Sequence, residues 1–227
     1  MKKLFLSFML ISSLTVFGQT NLQLHYDFGA GRNYLTSTIE RFKPDANGSL
    51  FYFVDMNYNA DGPTEAYFEI ARELKFWDGP ISAHIEYNGG LHREAAFDFQ
   101  INNAYLLGTS YSLNSKDFSK GISFSAMYKL IQGNIEPHNF QLTTVWYMNM
   151  LEGKLSFTGF ADFWREKSNF DSVTGLPTTS FIFLSEPQLW YNFNKSISAG
   201  AEIELGYNFA GVAGFKACPT LAIKYNL

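Results

Sequence analysis

The last eight residues, Thr220-Leu221-Ala222-Ile223-Lys224-Tyr225-Asn226-Leu227, alternate in polarity up to the end of the chain. Successive side chains of a β-strand point to opposite faces. This strand therefore has an apolar face made of Leu221, Ile223, Tyr225 and Leu227, and a polar face that carries Thr220, Lys224 and Asn226. A strand with two such faces suits a wall between lipid and water.

The same alternation recurs upstream, in runs bounded by Gly, Asn, Asp and Pro. Beyond residue 18 no uncharged apolar stretch approaches the length of about 20 residues that a membrane helix needs. Turn signals lie near 29–33, 44–48, 60–63, 77–80, 88–94, 114–121, 132–138, 151–154, 168–177, 192–196 and 208–214. Eleven turns predict twelve strands. Residues 19–227 then have about 17 residues for each strand and turn, enough for tilted membrane strands of about 9–11 residues. The predicted fold is all-β: one domain over 19–227, a transmembrane antiparallel β-barrel of twelve strands.

The first 18 residues have the pattern of an export signal. Lys2 and Lys3 precede an apolar run from Leu4 to Phe17, and Gly18 gives a tolerable cleavage site before Gln19. We therefore predict that residues 1–18 are a signal peptide and that the chain is exported to the outer membrane of a Gram-negative bacterium.

Charge and cysteine content exclude several classes of function. Removal of Lys2 and Lys3 leaves 15 basic and 21 acidic residues, a net charge of −6 with His neutral. A mildly acidic chain without a basic stripe is a poor candidate for nucleic-acid binding. The single cysteine, Cys218, allows no internal disulfide. No His, Cys and Asp spacing indicates a metal site, and no cofactor is expected.

Strand faces can be assigned from the cost of placing charge in lipid. A shift of register by one residue in strand 196–207 would turn Glu202 and Glu204 into the membrane, at up to a few kcal/mol each. Both are therefore assigned to the lumen. The same argument applied to the other strands predicts a lumen that also receives Phe51, Phe53, Asp55, Glu69, Glu86, Lys129, Phe160, Asp162 and Glu186. Two positions fit less well: Arg72 falls on the outward face, which requires a bulge or a position near the headgroups, and Pro187 lacks a ladder donor.

A twelve-stranded barrel should enclose a narrow passage in which side chains touch the solute. Aromatic faces beside hydrogen-bonding groups suit a flat polar solute such as a nucleobase, because base stacking contributes about 1–3 kcal/mol. In the alternative interpretation the rings fill space and the charges pair across the lumen, which keeps the barrel closed.

Four segments resemble those of a known family. They are Phe51-Tyr52-Phe53-Val54-Asp55, Tyr67-Phe68-Glu69, Asn102-Asn103-Ala104-Tyr105 and Leu155-Ser156-Phe157-Thr158-Gly159-Phe160-Ala161-Asp162-Phe163. Their order is similar to that in the Tsx-type nucleoside-specific channels of Gram-negative outer membranes. The resemblance implies a monomeric twelve-stranded barrel that binds nucleosides. It implies this role for Phe51, Phe53, Asp55, Glu69, Lys129, Phe160 and Asp162.

Three features depart from that family. Asp162 replaces an Asn, the loops are shorter, and the final residue is Leu227 instead of Phe. The first departure leaves the solute open. The last weakens the C-terminal signal for the outer-membrane assembly machinery, which Tyr225 partly preserves. An even strand number places both termini in the periplasm, and of the outer loops only 88–94 and 168–177 are long enough to fold over the mouth.

Two other classes of protein remain as alternatives. An outer-membrane enzyme acting on lipids would need a Ser-His-acid set near the outer rim. His84 and Glu86 lie two residues apart on one face, with Ser82 beside them, although any polar lumen produces such spacing by chance. His25 is assigned to the lumen, and His92 and His138 to turns. A soluble β-barrel or sandwich would instead have an aromatic core and outward charges.

Overall fold

The computed structural model describes residues 19–93, 98–168 and 178–227. The segment 1–18, predicted to be a signal peptide, lies outside the described residues. The described chain is almost entirely strand. Its strands are β1 (Gln19–Asp27), β2 (Tyr34–Asp45), β3 (Gly48–Asn59), β4 (Gly62–Leu74), β5 (Ile81–Arg93), β6 (Asp98–Asn114), β7 (Lys120–Ile131), β8 (His138–Met150), β9 (Leu155–Ser168), β10 (Thr178–Ser185), β11 (Gln188–Asn192), β12 (Ile197–Tyr207) and β13 (Phe215–Asn226).

The strands close into a barrel. Apart from β10 and β11, which do not pair with each other, each strand pairs antiparallel with its sequence neighbours, and β1 pairs with β13 from Asn21↔Asn226 to Asp27↔Thr220. The short strands β10 and β11 both pair with β9 on one side and with β12 on the other. They are two halves of one barrel strand, so the barrel has twelve strands. The predicted fold class is confirmed.

The connections between strands lie close to the predicted turns. One end of the barrel, which we call the terminal end, carries both ends of the barrel chain and the turns 46–47, 75–80, 115–119, 151–154 and 193–196. The opposite end, which we call the loop end, carries the connections 28–33, 60–61, 132–137 and 208–214. The predicted turn at 168–177 falls almost wholly outside the described residues.

The prediction of a turn and outer loop at 88–94 was wrong. Strand β5 continues to Arg93, and its pairing with β6 shifts by one residue between Asn88 and Gly90, which marks a β-bulge. A Cβ atom on Gly90 would lie 2.2 Å from the Ala66 carbonyl oxygen, so the glycine allows close strand packing. His92 consequently lies in β5, and His138 is the first residue of β8, whereas both were assigned to turns.

Alternation along the strands separates an apolar exterior from a polar interior. Leu221 and Ile223 on β13 are each 61% exposed, whereas their neighbours Thr220 and Ala222 are buried. On β5 the polar residues Ser82, His84 and Glu86 are buried. Large apolar side chains cover the outside, which is the surface that lipid requires. The barrel therefore has the reverse of the arrangement expected for a soluble β-protein.

The two positions that fitted the predicted faces poorly, Arg72 and Pro187, do not change the register of their strands. Arg72 faces outward without a bulge, because β3 and β4 pair in register there as Leu50↔Arg72. Its guanidinium donates two hydrogen bonds to Asp45 at the terminal end, at 2.6 and 3.0 Å, so it lies at the membrane rim. Pro187 interrupts the strand between β10 and β11, yet the register with β9 continues from Ser185↔Ala161 to Gln188↔Thr158.

The described residues include no helix that is both long and apolar enough to cross a membrane.

Candidate transport lumen

The inner wall of the barrel is the candidate site, and its most apolar part is an aromatic patch on β3 and β4. Phe51 and Phe53 are two residues apart on β3, with ring centroids 5.9 Å apart. The Phe53 ring lies 5.8 Å from that of Tyr67 on β4. Register places Phe53 opposite Glu69, and Asp55 opposite Tyr67. Three rings and two carboxylates thus share one area of the wall, which we call the aromatic patch.

Several carboxylates of the lumen have only neutral partners. Asp55 accepts a hydrogen bond from Thr38 at 2.5 Å, and Asp162 accepts one from Thr143 at 2.5 Å. Glu202 accepts a hydrogen bond from Gln188 at 2.5 Å, and its other oxygen lies 4.0 Å from the His25 ring.

Two further carboxylates have no side-chain partner at all among the described residues. Among the side chains that the structure describes, none forms a hydrogen bond or ion pair with the carboxylate of Glu69 or of Glu186. Both residues are partly exposed and lie on the inward face, Glu69 opposite Phe53 and Glu186 opposite Phe160.

At the loop end the guanidinium of Arg32 joins two acids in one charge cluster. Arg32, from the connection 28–33, donates to both carboxylate oxygens of Glu204 at 2.8 and 3.0 Å. It also donates to Asp27 at 2.9 Å, and the second oxygen of Asp27 accepts the backbone N–H of Gly29 at 2.8 Å. Glu204 was correctly placed on the inner wall by the sequence, but its partner lies in a loop and was not predicted. The contacts join the first connection to β1 and β12 across the mouth.

Near the terminal end a histidine lies between two acids. The His84 Nδ1 atom is 2.6 Å from Glu73, and Nε2 is 3.0 Å from Glu86. Ser82 donates to Glu73 at 2.5 Å, and Ser110 donates to Glu73 at 2.7 Å. Because carboxylates occupy both ring nitrogens, neither nitrogen is left to take a proton from a serine.

The lysines of the lumen lie over tryptophan rings. Lys129 donates to Gln141 at 2.7 Å and lies 4.3 Å from the Trp164 ring centroid. Lys224 lies 3.9 Å from the ring of Trp190, which is fully buried and donates to Gln188 at 2.9 Å. Each cation is therefore held against the wall by a cation–π contact.

All the site residues predicted from sequence lie on the inward face, and the register divides them into three groups. The first group is the aromatic patch. The second runs across β5, β7 and β9 and the third across β9 to β12, where the Glu186 N–H donates to the Phe160 carbonyl at 3.1 Å. By group, they are Phe51, Phe53, Asp55 and Glu69; Glu86, Lys129 and Asp162; and Phe160, Glu186, Glu202 and Glu204. A role in solute binding stays a prediction for each of them.

Other lumen residues were not chosen from the sequence. Lys129 is the only base among the lumen residues predicted above, whereas Arg32 and Lys224 also reach the described inner wall. The alternation of the last strand already put Lys224 on its polar face, so this signal was present. Tyr67 was part of a motif in the family resemblance but was not assigned to the wall.

One acid outside the spanning strands is strongly perturbed. Glu136, in the connection 132–137, accepts hydrogen bonds from Arg165 at 2.5 Å and Lys167 at 2.9 Å. These two cations lower the pKa of Glu136 to about 2. The connection is thereby fastened to β9 at the loop end.

Comparison with known proteins gives a family and a fold. The sequence profile described as "Domain of unknown function (DUF5020)" matches residues 19–227. No curated protein matches the chain. Nothing in these matches is specific to Tsx-type channels.

Solved structures with similar folds include porins and channels. The NanC porin superposes with a TM-score of 0.58, at 9% identity over 92% of this chain and 100% of its own. The outer membrane channel DcaP of Acinetobacter baumannii gives 0.44, at 10% identity over 92% and 96%. A loop-deletion mutant of OmpT, an outer membrane protein of Vibrio cholerae, gives 0.41, at 8% identity over 92% and 97%. The first of these superpositions shows that the chain has the fold of a porin barrel.

Proposed function

The chain belongs to the DUF5020 family, and we propose that this member is an outer-membrane channel through which small polar solutes diffuse passively. The proposal needs a water-facing wall inside a lipid-facing barrel. The exposed apolar exterior and the polar inward positions meet that requirement. The fold shared with the NanC porin agrees with it.

The observation that carries the proposal is the aromatic patch and its carboxylates. The rings of Phe51, Phe53 and Tyr67 form a continuous surface, and Glu69 beside them has no partner among the described side chains. In a wall built only to fill space, each buried carboxylate would be paired with a basic side chain. An aromatic surface beside free acceptors instead offers stacking and hydrogen bonds to a passing solute.

Nucleosides are the solute that we propose to test first. Each has a flat base that can stack, for about 1–3 kcal/mol, and exocyclic and sugar groups that can donate to carboxylates. The resemblance of four short segments to Tsx-type channels supports this choice. Phe160 would add a further ring, and Lys129 would act from within the wall, where it donates to Gln141.

Export, assembly and orientation complete the proposal. Residues 1–18 would direct the chain across the inner membrane, and the alternating strand β13 would be the segment that the outer-membrane assembly machinery reads. Both ends of the barrel chain lie at the terminal end, which we place in the periplasm. The loop end would then face the outside, and the barrel would act as a monomer.

Block of single-channel current by nucleosides tests the proposal. Purified protein in planar lipid bilayers should conduct, and added nucleosides should reduce the current. The double variant Phe51→Ala/Phe53→Ala should keep its conductance but lose the block, because the stacking surface is gone. The matched control Tyr52→Ala, on the outward face of the same strand, should behave as the parent protein.

Two outcomes would count against the proposal. A folded barrel that never conducts would be a plugged structural barrel. Unchanged nucleoside block in the double variant would refute the role of the aromatic patch.

A further inference from the structure

We infer that the lumen selects for cationic and neutral solutes and repels solutes that carry a carboxylate or phosphate. The inference rests on the proposed channel function and names the class of solute that the channel passes. It is drawn from how the positive and negative side chains of the inner wall are partnered, taken over the whole lumen.

Acids outnumber bases on the inner wall. The inward-facing acids of the described strands contact other inward-facing side chains or pair with them in register. They include Asp27, Glu40, Asp55, Glu65, Glu69, Glu73, Glu86, Asp162, Glu186, Glu202 and Glu204. The bases that reach the same space are fewer. In the described part of the chain they are Arg32, Lys129, Lys216 and Lys224, together with the imidazoles of His25, His84 and His92, each of which lies beside an acid.

The bases are tied to the wall. Arg32 is shared by Glu204 and Asp27, so its single positive charge is already matched by two carboxylates. His84 lies between Glu73 and Glu86, and that cluster is negative in either state of the ring. Lys216 lines the same small cavity as Arg32 and Glu204 at the mouth.

The two remaining lysines offer little to a passing anion. Lys129 and Lys224 are directed onto the rings of Trp164 and Trp190. Lys129 is buried as well, with only 7% of its surface exposed. A solute anion would therefore find few free donors.

Glu69 and Glu186, which have no partner among the described side chains, lie among other acids of the inner wall. Glu69 on β4 has Asp55 and Glu86 on the neighbouring strands β3 and β5. Glu186, which precedes β11, has Asp162 on β9 and Glu202 and Glu204 on β12. Because the barrel is closed, these acids act on the same enclosed space. Cations that enter the lumen are attracted to them, and anions are repelled.

The physical consequence is a negative potential inside a narrow, low-dielectric passage. A cleft lined by charge of one sign can raise the local concentration of the opposite ion by about tenfold or more. Rings of Asp and Glu produce cation selectivity in channels by this means. The effect weakens with salt, because the Debye length falls from about 10 Å at 0.1 M to about 3 Å at 1 M.

The reversal potential in a potassium chloride gradient measures this selectivity directly. We expect potassium to permeate over chloride by about tenfold near 0.1 M salt, and by clearly less near 1 M. The double variant Glu69→Gln/Glu186→Gln should lose at least about half of that preference. A matched control, Asp78→Asn/Glu152→Gln, removes two acids from turns at the terminal end and should leave the ratio unchanged.

Swelling of liposomes in isosmotic sugars extends the test to solutes. Glucosamine, glucose and glucuronate share one ring size and differ in charge. Glucosamine should enter at least as fast as glucose, and glucuronate about tenfold more slowly than glucose. The two glutamine substitutions should reduce that difference.

The outcomes separate the two proposals. A conducting barrel that prefers chloride, or that admits glucuronate as fast as glucose, would overturn the charge selectivity and leave the channel function standing. An unchanged permeability ratio in the glutamine variant would overturn the role of Glu69 and Glu186. A folded barrel without any conductance would overturn the channel function itself.

Discussion

Arg32 and Glu204 form a two-pronged ion pair at the loop end, with Nη2–Oε1 and Nη1–Oε2 distances of 2.8 and 3.0 Å. The residues are 172 positions apart, so the contact ties the first connection to the penultimate strand. Asp27 shares the guanidinium at 2.9 Å. The pair therefore fixes where the connection 28–33 lies relative to the mouth.

Loss of this guanidinium should destabilise the barrel and loosen its mouth. In Arg32→Ala, the buried carboxylate of Asp27 and the partly buried one of Glu204 lose their charge-assisted hydrogen bonds. We expect the free energy of unfolding to fall by about 2 kcal/mol. Arg32→Lys should recover only part of it, since an ammonium cannot match the two-pronged geometry. Urea unfolding in detergent micelles measures the change, with Lys116→Ala in an exposed turn as the control. Equal midpoints for Arg32→Ala and the control would contradict the assigned role.

Trp190 should be one of the most important side chains for stability. It is fully buried, supports Lys224, and leaves so little room that a Cβ on Gly200 would lie 2.6 Å from its ring. Trp190→Ala should lower the free energy of unfolding by about 3–5 kcal/mol. Trp77→Ala, at a turn position that is 49% exposed, should change it little. A loss in the Trp190 variant no larger than in the Trp77 variant would show that this part of the wall is not packed as described.

The two faces of the barrel should respond differently to the same charge. Leu221→Lys places an ammonium on the outward face near the middle of β13, and we expect a cost of about 2–4 kcal/mol in lipid vesicles. Ser123→Lys places it on the inner wall opposite Val145, which is 45% exposed, and should cost little. Unfolding of both variants from vesicles measures the difference. Equal costs would argue against a lipid-facing exterior.

The ion pairs of Glu136 should make the stability of the protein depend on pH in a defined way. Arg165 and Lys167 lower its pKa to about 2, below the ordinary value of 4.5. The contribution of Glu136 to stability is therefore complete above the ordinary value and is lost as the pH falls toward 2. The difference in unfolding midpoint between the parent protein and Glu136→Gln should be constant from neutral pH to about 5 and vanish near pH 2. A difference that persists at pH 2 would mean that the ion pairs are not its cause.

The sequence predicted the strands and their faces because one physical rule determines both. Charge in lipid is expensive, so the position of Glu202 and Glu204 determines which residues of β12 face inward. The register survives even Pro187, because the carbonyl of that residue still accepts the Ile203 N–H at 3.1 Å. Most of the connections could be predicted as well, because Gly, Asn, Asp and Pro favour turns through their own backbone conformations.

Other features depend on contacts that no local pattern reveals. Gly89 and Gly90 resemble a turn in sequence, yet they form a bulge because a neighbouring strand packs closely there. Arg32 belongs to a connection, and alternation cannot predict that its side chain enters the lumen. The contact between Glu73 and His84 follows from the pairing of β4 with β5.

Water access to the inner wall tests the central claim most directly. On a Cys218→Ser background, Glu69→Cys and Phe68→Cys place a thiol on opposite faces of β4, one residue apart. In protein reconstituted into lipid vesicles, a charged, membrane-impermeant thiol reagent should modify the cysteine at position 69 rapidly and the cysteine at position 68 hardly at all. Rapid labelling at position 68 together with protection at position 69 would contradict a lumen lined by these carboxylates.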